Sequence, residues 1–464
     1  MFIGREKELY TLEKMYQKDT FECMVIYGRR RVGKTTLINE FIKEKKAIFY
    51  PAIDSNEKQN LELFSSSIMS LVSDIEINTM FQNFSDAFEY IYKIAQNERM
   101  ILVIDEYPYL ANCAKGIASL LASFIDHKFL NSKLMLILCG SSLSFMENQV
   151  LGYQSPLYGR RTGQMKVLPF SFSECVKYYQ NFAKQDLALA YGVTGGIPLY
   201  MSKLDDKKSM EENIKDNFFD ISAYLFEEPG NLMKQECREP MQYNAIIKSI
   251  AMGATKIGEI SVVSGLNDTS ATSNYISKLM SLGIVEKELP FKSKTTKKTI
   301  YKLSDSMFQF WYRFVPSNLA LIGQGAKDRV YQRVETQIAA YMGFVFEEIC
   351  KQYLWQENLK GNLPIDFTDM GRWWGNDPVK KEQTEIDILA DNEENEAIFA
   401  ECKWRNENVG EAELKDLQHQ STLFHYKRNV LVLFSKSGFT DGCRKLAEEM
   451  KDVLLISYDE MQWR

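Results

Sequence analysis

The chain has 464 residues, 45% of them hydrophobic and 25% charged, with 56 Lys and Arg against 62 Asp and Glu. That length provides for roughly two to four domains, and the net charge of −6 excludes a global basic field, so any nucleic-acid contact must come from local patches. Eight cysteines without a CxxC pair suggest neither a zinc ribbon nor a disulfide framework and fit a reducing cytosol. The three histidines, His127, His419 and His425, leave little room for a His-based triad or a His-rich metal centre. The opening Met-Phe-Ile-Gly-Arg-Glu reads as no signal peptide, and no apolar run reaches transmembrane length, so a cytoplasmic protein without a membrane partner is expected.

Residues 2–9, Phe-Ile-Gly-Arg-Glu-Lys-Glu-Leu, lead into a helix with Leu9, Leu12 and Met15 at helical spacing. The apolar run Met24-Val25-Ile26-Tyr27 predicts a strand. It is followed by Gly28-Arg29-Arg30-Arg31-Val32-Gly33-Lys34-Thr35 and then by a helix that begins Thr36-Leu37-Ile38. Strand, GxxxxGK(S/T) and helix in that order make a P-loop. Its glycines let backbone N–H groups curl around phosphate oxygens, and the helix start adds positive potential. The expected nucleotide-binding residues are therefore Gly28, Arg29, Arg30, Arg31, Val32, Gly33, Lys34, Thr35 and Thr36. Lys34 is expected to reach the β- and γ-phosphates of ATP, and Thr35 to hold Mg²⁺.

Ala47 to Tyr50 reads as a second strand, and residues 55–98 as mostly helical, with Leu61, Phe64, Ile68 and Leu71 on a core stripe. Met100 to Asp105 is a fully apolar run ending in Asp105-Glu106, which suits a strand of a parallel sheet with ligand-facing acids at its carboxyl end. Asp105 is expected to support Mg²⁺, and Glu106 to orient or activate the attacking water. A helix over 114–127 precedes another buried strand, Lys133 to Cys139, that ends in Gly140-Ser141-Ser142. Beyond it come Tyr158-Gly159-Arg160-Arg161, a helical region opened by a cap at Ser171 or Ser173 with Glu174 in the first turn, and Thr194-Gly195-Gly196-Ile197-Pro198.

In this order the motifs resemble those of the archaeal-type P-loop ATPases, on the border of the AAA+ and STAND classes. The resemblance implies that Ile3 and Arg5 lie near the nucleotide and that Ser141 or Ser142 is the sensor at the γ-phosphate or the water. It also implies that Arg160 is an arginine finger, which a neighbouring subunit of a homo-oligomer can supply, and that Gly195 to Pro198 is the GxP element near the base.

Residues 245–303 read as three helices and a hairpin, the order of a winged helix-turn-helix, which the same family carries. The third helix, from Ala271 to Leu282, presents Asn274, Tyr275, Ser277 and Lys278. The hairpin pairs residues 284–288 with 299–303, and its loop carries Lys292, Lys294, Lys297 and Lys298. In a DNA reading the third helix enters the major groove and the wing lysines touch phosphates. The aromatic run Phe308 to Phe314 is expected to be packing core.

The last third holds a second group of acids. Glu347 falls on a helix, Glu385-Ile386-Asp387-Ile388 on a strand, and Ala400-Glu401-Cys402-Lys403 on the strand that follows a polar turn. Alternation puts Glu385 with Asp387, and Glu401 with Lys403. If the strands pair, Asp387, Glu401 and Lys403 converge in the D-(x)n-(D/E)xK pattern of restriction-endonuclease-like nucleases. Carboxylates suit Mg²⁺, and Lys403 can position water or stabilise transition-state charge. The segment, with Gly371-Arg372-Trp373-Trp374-Gly375 upstream, resembles the nuclease-like domain fused to archaeal-type ATPases, and that resemblance implies Glu347 as a further metal ligand.

The fold class expected is thus α/β: a P-loop NTPase parallel sheet (1–168), a helical lid (169–240), a winged helix (241–305), a connector (306–335) and a PD-(D/E)xK nuclease-like domain (336–464). The function expected is ATP binding and hydrolysis coupled to DNA binding and metal-dependent cleavage. The alternative is a nucleotide-controlled STAND-type signalling or defence switch with a non-catalytic carboxyl-terminal domain.

Overall fold

The computed structural model describes residues 2–72, 80–293 and 295–463, so the wing residue Lys294 lies outside the described residues. The chain gathers into two compact units. One is Met1–Pro169 with Ile197–Leu199 and Ser281–Gly283; the other is Phe170–Gly196, Tyr200–Met280 and Ile284–Arg464.

The first unit is built on a five-stranded sheet. Its strands are β1 (Glu22–Tyr27), β2 (Ala47–Pro51), β3 (Met100–Asp105), β4 (Leu134–Gly140) and β5 (Gly163–Lys166), in the order β2-β3-β4-β1-β5. All neighbours are parallel. β1, β3 and β4 are buried along their whole length, as expected for strands covered on both faces. One core joins Val25, Leu102, Ile104, Leu136 and Leu138 to Phe64, Phe88 and Phe124. The other joins Met24, Ile26, Val103 and Ile137 to Leu12, Leu37, Ile38 and Phe41. Burying each such side chain is worth about 1.5–3 kcal/mol, so these two layers fix where the strand ends lie. β5 is an edge strand with alternating burial, and its polar Gly-Gln-Met-Lys sequence gave no strand signal. This parallel α/β sheet is the P-loop NTPase fold.

The second unit opens with helices. Ser171, rather than Ser173, caps Phe172–Tyr178 in a capping box with Glu174. Helices Pro240–Ala251, Ile257–Val263 and Thr269–Ser281 precede an antiparallel pair, β6 (Val285–Glu288) and β7 (Ile300–Leu303). The loop between these strands packs on the carboxyl-terminal sheet. Phe291 N–H donates to the Arg372 carbonyl at 2.8 Å, Phe291 packs with the core there, and the exposed Lys292 is ion-paired with the buried Asp391. Lys292, expected at phosphates, thus has a carboxylate partner within the chain. Tyr275, expected in the groove-reading helix, donates its hydroxyl to Glu239 at 2.8 Å and packs on Tyr243. Phe308, Phe310 and Phe314 are fully buried, as the aromatic run led us to expect.

Helix Lys327–Lys360 is continuous over 34 residues, and the expected connector boundary at 335/336 falls inside it. It covers one face of a sheet made of β8 (Asp369–Asp377), β9 (Glu382–Asp391), β10 (Glu396–Lys403), β11 (Arg428–Ser435) and β12 (Val453–Ser457), ordered β12-β11-β10-β9-β8. β8-β9 and β9-β10 are antiparallel; β10-β11 and β11-β12 are parallel. The other face packs Ile386, Leu389, Ala397 and Phe399 against Leu414 and Leu417 of helix Glu411–Ser421 and Cys443 of helix Asp441–Glu449.

Candidate functional site

The loop after β1 closes on itself. The Lys34 ammonium donates to the carbonyls of Gly28 at 2.9 Å and Arg29 at 3.0 Å. Gly28 is required by packing: a Cβ there would meet the Val167 carbonyl oxygen at 2.3 Å. Gly33, at φ 91°, turns the chain into helix α2 (Lys34–Ile42) and caps it without a side-chain acceptor, so the first-turn N–H groups are available to an anion. Arg31 also holds a left-handed backbone, at φ 73°. Arg30 donates to the Tyr109 hydroxyl at 2.9 Å, and Val32 is buried. Thr36 is exposed on the first turn of α2 beside Thr35.

The Thr35 hydroxyl donates to the Asp105 carboxylate at 2.8 Å, joining the P-loop to the carboxyl end of β3. A hydroxyl and a carboxylate are hard oxygen donors, which fits Mg²⁺ at this point. Burial pulls Lys34 below the ordinary lysine range, against the opposing pull of Cys139, Glu106 and Asp105. Glu106 sits at φ 50°, and its carboxylate accepts from both the Ser141 N–H at 3.2 Å and the Ser141 hydroxyl at 2.8 Å. Ser141, rather than Ser142, is thus the residue of the β4 end that meets the acid.

Two expected residues have partners within the chain. The buried Arg5 donates to the Val32 carbonyl at 3.0 Å and the Leu168 carbonyl at 2.6 Å, which tethers the loop. Arg160 makes a two-pronged pair with Asp126, at 2.9 and 2.6 Å, on the surface. Cys139 and Tyr109 were missed. Cys139 lies one residue before Gly140-Ser141 and hydrogen-bonds Asp105; burial, then Asp105, pushes its thiol well up.

The second group of acids is also brought together. Asp387 accepts from the Cys402 N–H at 2.8 Å, and Lys403 is ion-paired with Glu401. A register shift opposite Arg372 places a bulge in the β8-β9 ladder, and Ile386 and Leu389, three apart, share one core. Asp387 is buried while Glu385 is exposed and pairs with Arg372 at 2.7 Å, and both carboxylates act on that guanidinium. Burial and then Asp387 push Glu347 up to about 8 and Glu401 up to about 7. Burial raises Asp387 too. The oxygens suit a divalent ion by chemistry. By spacing they do not chelate: among the described residues no three His, Cys, Asp or Glu are grouped to hold a metal ion.

Among the described residues no helix is long and apolar enough to cross a membrane. The family described as an ATPase domain predominantly from Archaea matches residues 2–204. A second, described as archaeal and bacterial proteins of unknown function, matches residues 311–416. The solved structure of the Walker-type ATPase PABY2304 of Pyrococcus abyssi shares the fold, with TM-score 0.50 and 20% identity over 67% of this chain and 96% of that one. The uncharacterized ATP-binding protein MJ0423 of Methanocaldococcus jannaschii is 46% identical over 46 residues, 10% of this chain and 78% of that one. The uncharacterized protein MJECL04 of the same organism is 31% identical over 408 residues, 88% of each chain. A P-loop ATPase domain on the amino-terminal side, and identity carried across most of both chains, make this protein a member of the family of MJECL04.

Proposed function

We propose that the chain is a Mg²⁺-dependent ATPase whose nucleotide state governs DNA binding and metal-dependent phosphodiester cleavage by its carboxyl-terminal acids. The observation that carries the ATPase half is the 2.8 Å bond from Thr35 to Asp105 beside the Lys34-closed loop. ATP phosphates would replace the loop carbonyls as partners of Lys34 and take the N–H groups at the start of α2. Thr35 and Asp105 would hold Mg²⁺, which when bound neutralises phosphate charge. Glu106 orients and accepts a proton from the attacking water, Ser141 follows the γ-phosphate, and Arg160, released from Asp126, serves a neighbouring copy in a homo-oligomer.

For the DNA half, helix Thr269–Ser281 with Asn274, Ser277 and Lys278 is the duplex-facing element. Glu347, Asp387 and Glu401 are the acids of this centre; they are not grouped as a metal cage among the described residues, and the Mg²⁺ and Mn²⁺ arms of the test decide whether an ion draws them together. Lys403 stabilises charge on the scissile phosphate. The test is phosphate release with and without DNA for the wild type and Lys34→Ala, alongside plasmid and linear DNA incubated with Mg²⁺ or Mn²⁺, with and without ATP. DNA-stimulated hydrolysis and nicking lost in Glu401→Ala support the proposal. Intact DNA under every condition removes the nuclease half.

One observation favours a second reading, a nucleotide-controlled switch with slow turnover: Ser141 holds Glu106 through both its N–H and its hydroxyl. If Ser141→Ala hydrolyses ATP faster than the wild type, Ser141 restrains the acid and the switch is favoured. If it is slower, Ser141 is part of the hydrolytic site.

A further inference from the structure

Arg372 stands in the ladder opposite the β9 bulge that carries Asp387. Its backbone is fixed from outside the sheet, because Phe291 N–H donates to its carbonyl at 2.8 Å, and a Cβ on the preceding Gly371 would sit 3.0 Å from the Phe291 ring. One guanidinium nitrogen meets the exposed Glu385 at 2.7 Å. The Nε–H is buried and has no hydrogen-bond partner. Carboxylates face the group from every adjoining element: Glu347 from the long helix, Glu385 and Asp387 from β9, and Glu288 from β6. Burial lowers the group's proton affinity, and these acids more than restore it, so it remains a cation. The Trp373 ring on its carboxyl side is packed in the core with Phe424, which leaves the strand little freedom to turn.

An unsatisfied buried donor in a folded protein requires an explanation. A guanidinium anchored in the sheet, with a terminal nitrogen on an exposed and displaceable carboxylate, can exchange that carboxylate for another oxyanion. Resting on the nuclease-like reading above, we propose that Arg372 is a phosphate-binding residue of the carboxyl-terminal centre, gripping a DNA backbone phosphate next to Asp387, Glu401 and Lys403. The phosphate displaces Glu385 from the terminal guanidinium nitrogen. Glu385 swings into water at little cost because it is already exposed. The loop at Phe291 and Lys292 serves as the brace that keeps the guanidinium aimed.

The experiment uses the full chain, a fluorescein-labelled DNA duplex and calcium chloride, with affinity read by anisotropy over a series of salt concentrations. Arg372→Ala is expected to weaken binding on the order of tenfold and to lower the slope of log affinity against log salt by about 1. Arg372→Lys keeps the charge and loses the fork, so it retains the slope and recovers part of the affinity. Melting curves of both variants confirm folding, and a purely structural arginine would not change the salt slope. The proposal is overturned if Arg372→Ala matches the wild type in affinity and slope, or if the wild type fails to bind the duplex. The nuclease reading is decided separately by plasmid nicking: intact plasmid with an Arg372-dependent slope removes cleavage and leaves the phosphate grip standing.

Discussion

The two candidate centres each set a lysine beside acids at the end of a strand, yet they balance charge in opposite ways. Around the P-loop the charged groups are answered locally. Lys34 has two carbonyls, Asp105 has the Thr35 hydroxyl, and Glu106 has Ser141. Around β9 and β10 the acids outnumber their cations. Burial, helped by Asp387, holds Glu347 and Glu401 up near neutrality despite Lys403 and Arg372. The first centre can stand closed and exchange its internal partners for an anion. The second holds more acids than cations, and burial keeps two of them up toward neutrality. That difference follows from construction, since backbone N–H groups attract phosphate without a desolvated charge, whereas side-chain carboxylates must be buried to be fixed.

The sharpest break in the comparison comes from removing the shared lysine in the first centre. Lys34→Ala, or Asp105→Asn beside it, is expected to reduce ATP hydrolysis by about 10²–10³-fold, read as phosphate release at saturating ATP. Loss of less than tenfold in both would place the phosphates elsewhere.

The second centre predicts a pH signature the first lacks. Glu347 and Glu401 titrate higher folded than unfolded, so between about pH 4.5 and 8 the folded chain binds more protons. Their contribution to stability is therefore full below the unfolded value and is lost as pH rises through about 7 to 8. Without divalent ions, melting at pH 9 should fall below that at pH 6, by on the order of 3 kcal/mol for the pair. Glu347→Gln, neutral at every pH, should flatten the profile and raise stability at pH 9. A melting temperature independent of pH over this range would mean the acids are solvated. Added Mn²⁺ should restore stability at pH 9 if it enters the cluster.

The P-loop's dependence on backbone partners is tested from outside it. Arg5→Ala strands the Val32 and Leu168 carbonyls, and a loss of about 2 kcal/mol is expected from the buried charged hydrogen bonds. Nucleotide affinity should weaken with it, because the loop loses its tether. Unchanged stability with weaker nucleotide binding would instead return Arg5 to the role of a direct ligand contact.

The same contrast explains what could be read from the residues in order. Gly28 and Gly33 are legible because backbone geometry demands glycine there, and Lys34 and Thr35 because phosphate and Mg²⁺ chemistry demands those side chains at fixed spacing from them. The wholly apolar runs of β3 and β4 announce a covered parallel sheet. β5 is silent because an edge strand of Gly-Gln-Met-Lys needs no apolar pattern. The hydrogen bonds between Glu106 and Ser141 span 35 positions, and nothing local in either segment signals them. Asp387 is legible by alternation, but the bulge opposite Arg372 has no sequence mark of its own. Arg372 was visible only as a charged residue beside two tryptophans, and its partners come from three other elements.

Lys292 gives the smallest expected effect and the finest test of the comparison. A lysine in a hairpin loop reads the same whether it meets a phosphate or an acid 99 positions away. Here it meets Asp391, which also accepts from the Tyr426 hydroxyl at 2.8 Å. Because Tyr426 remains and the Lys292 side chain is half exposed, Lys292→Ala should lower stability by only about 0.5–1 kcal/mol. It should leave duplex affinity within about twofold and the salt slope unchanged, since no phosphate contact is lost. A slope lower by about 1 would show that this loop reaches DNA and gives up Asp391 to do so. The brace on Arg372 would then open when DNA binds, and Asp391→Asn, which frees the lysine without removing it, should tighten the duplex instead of loosening it.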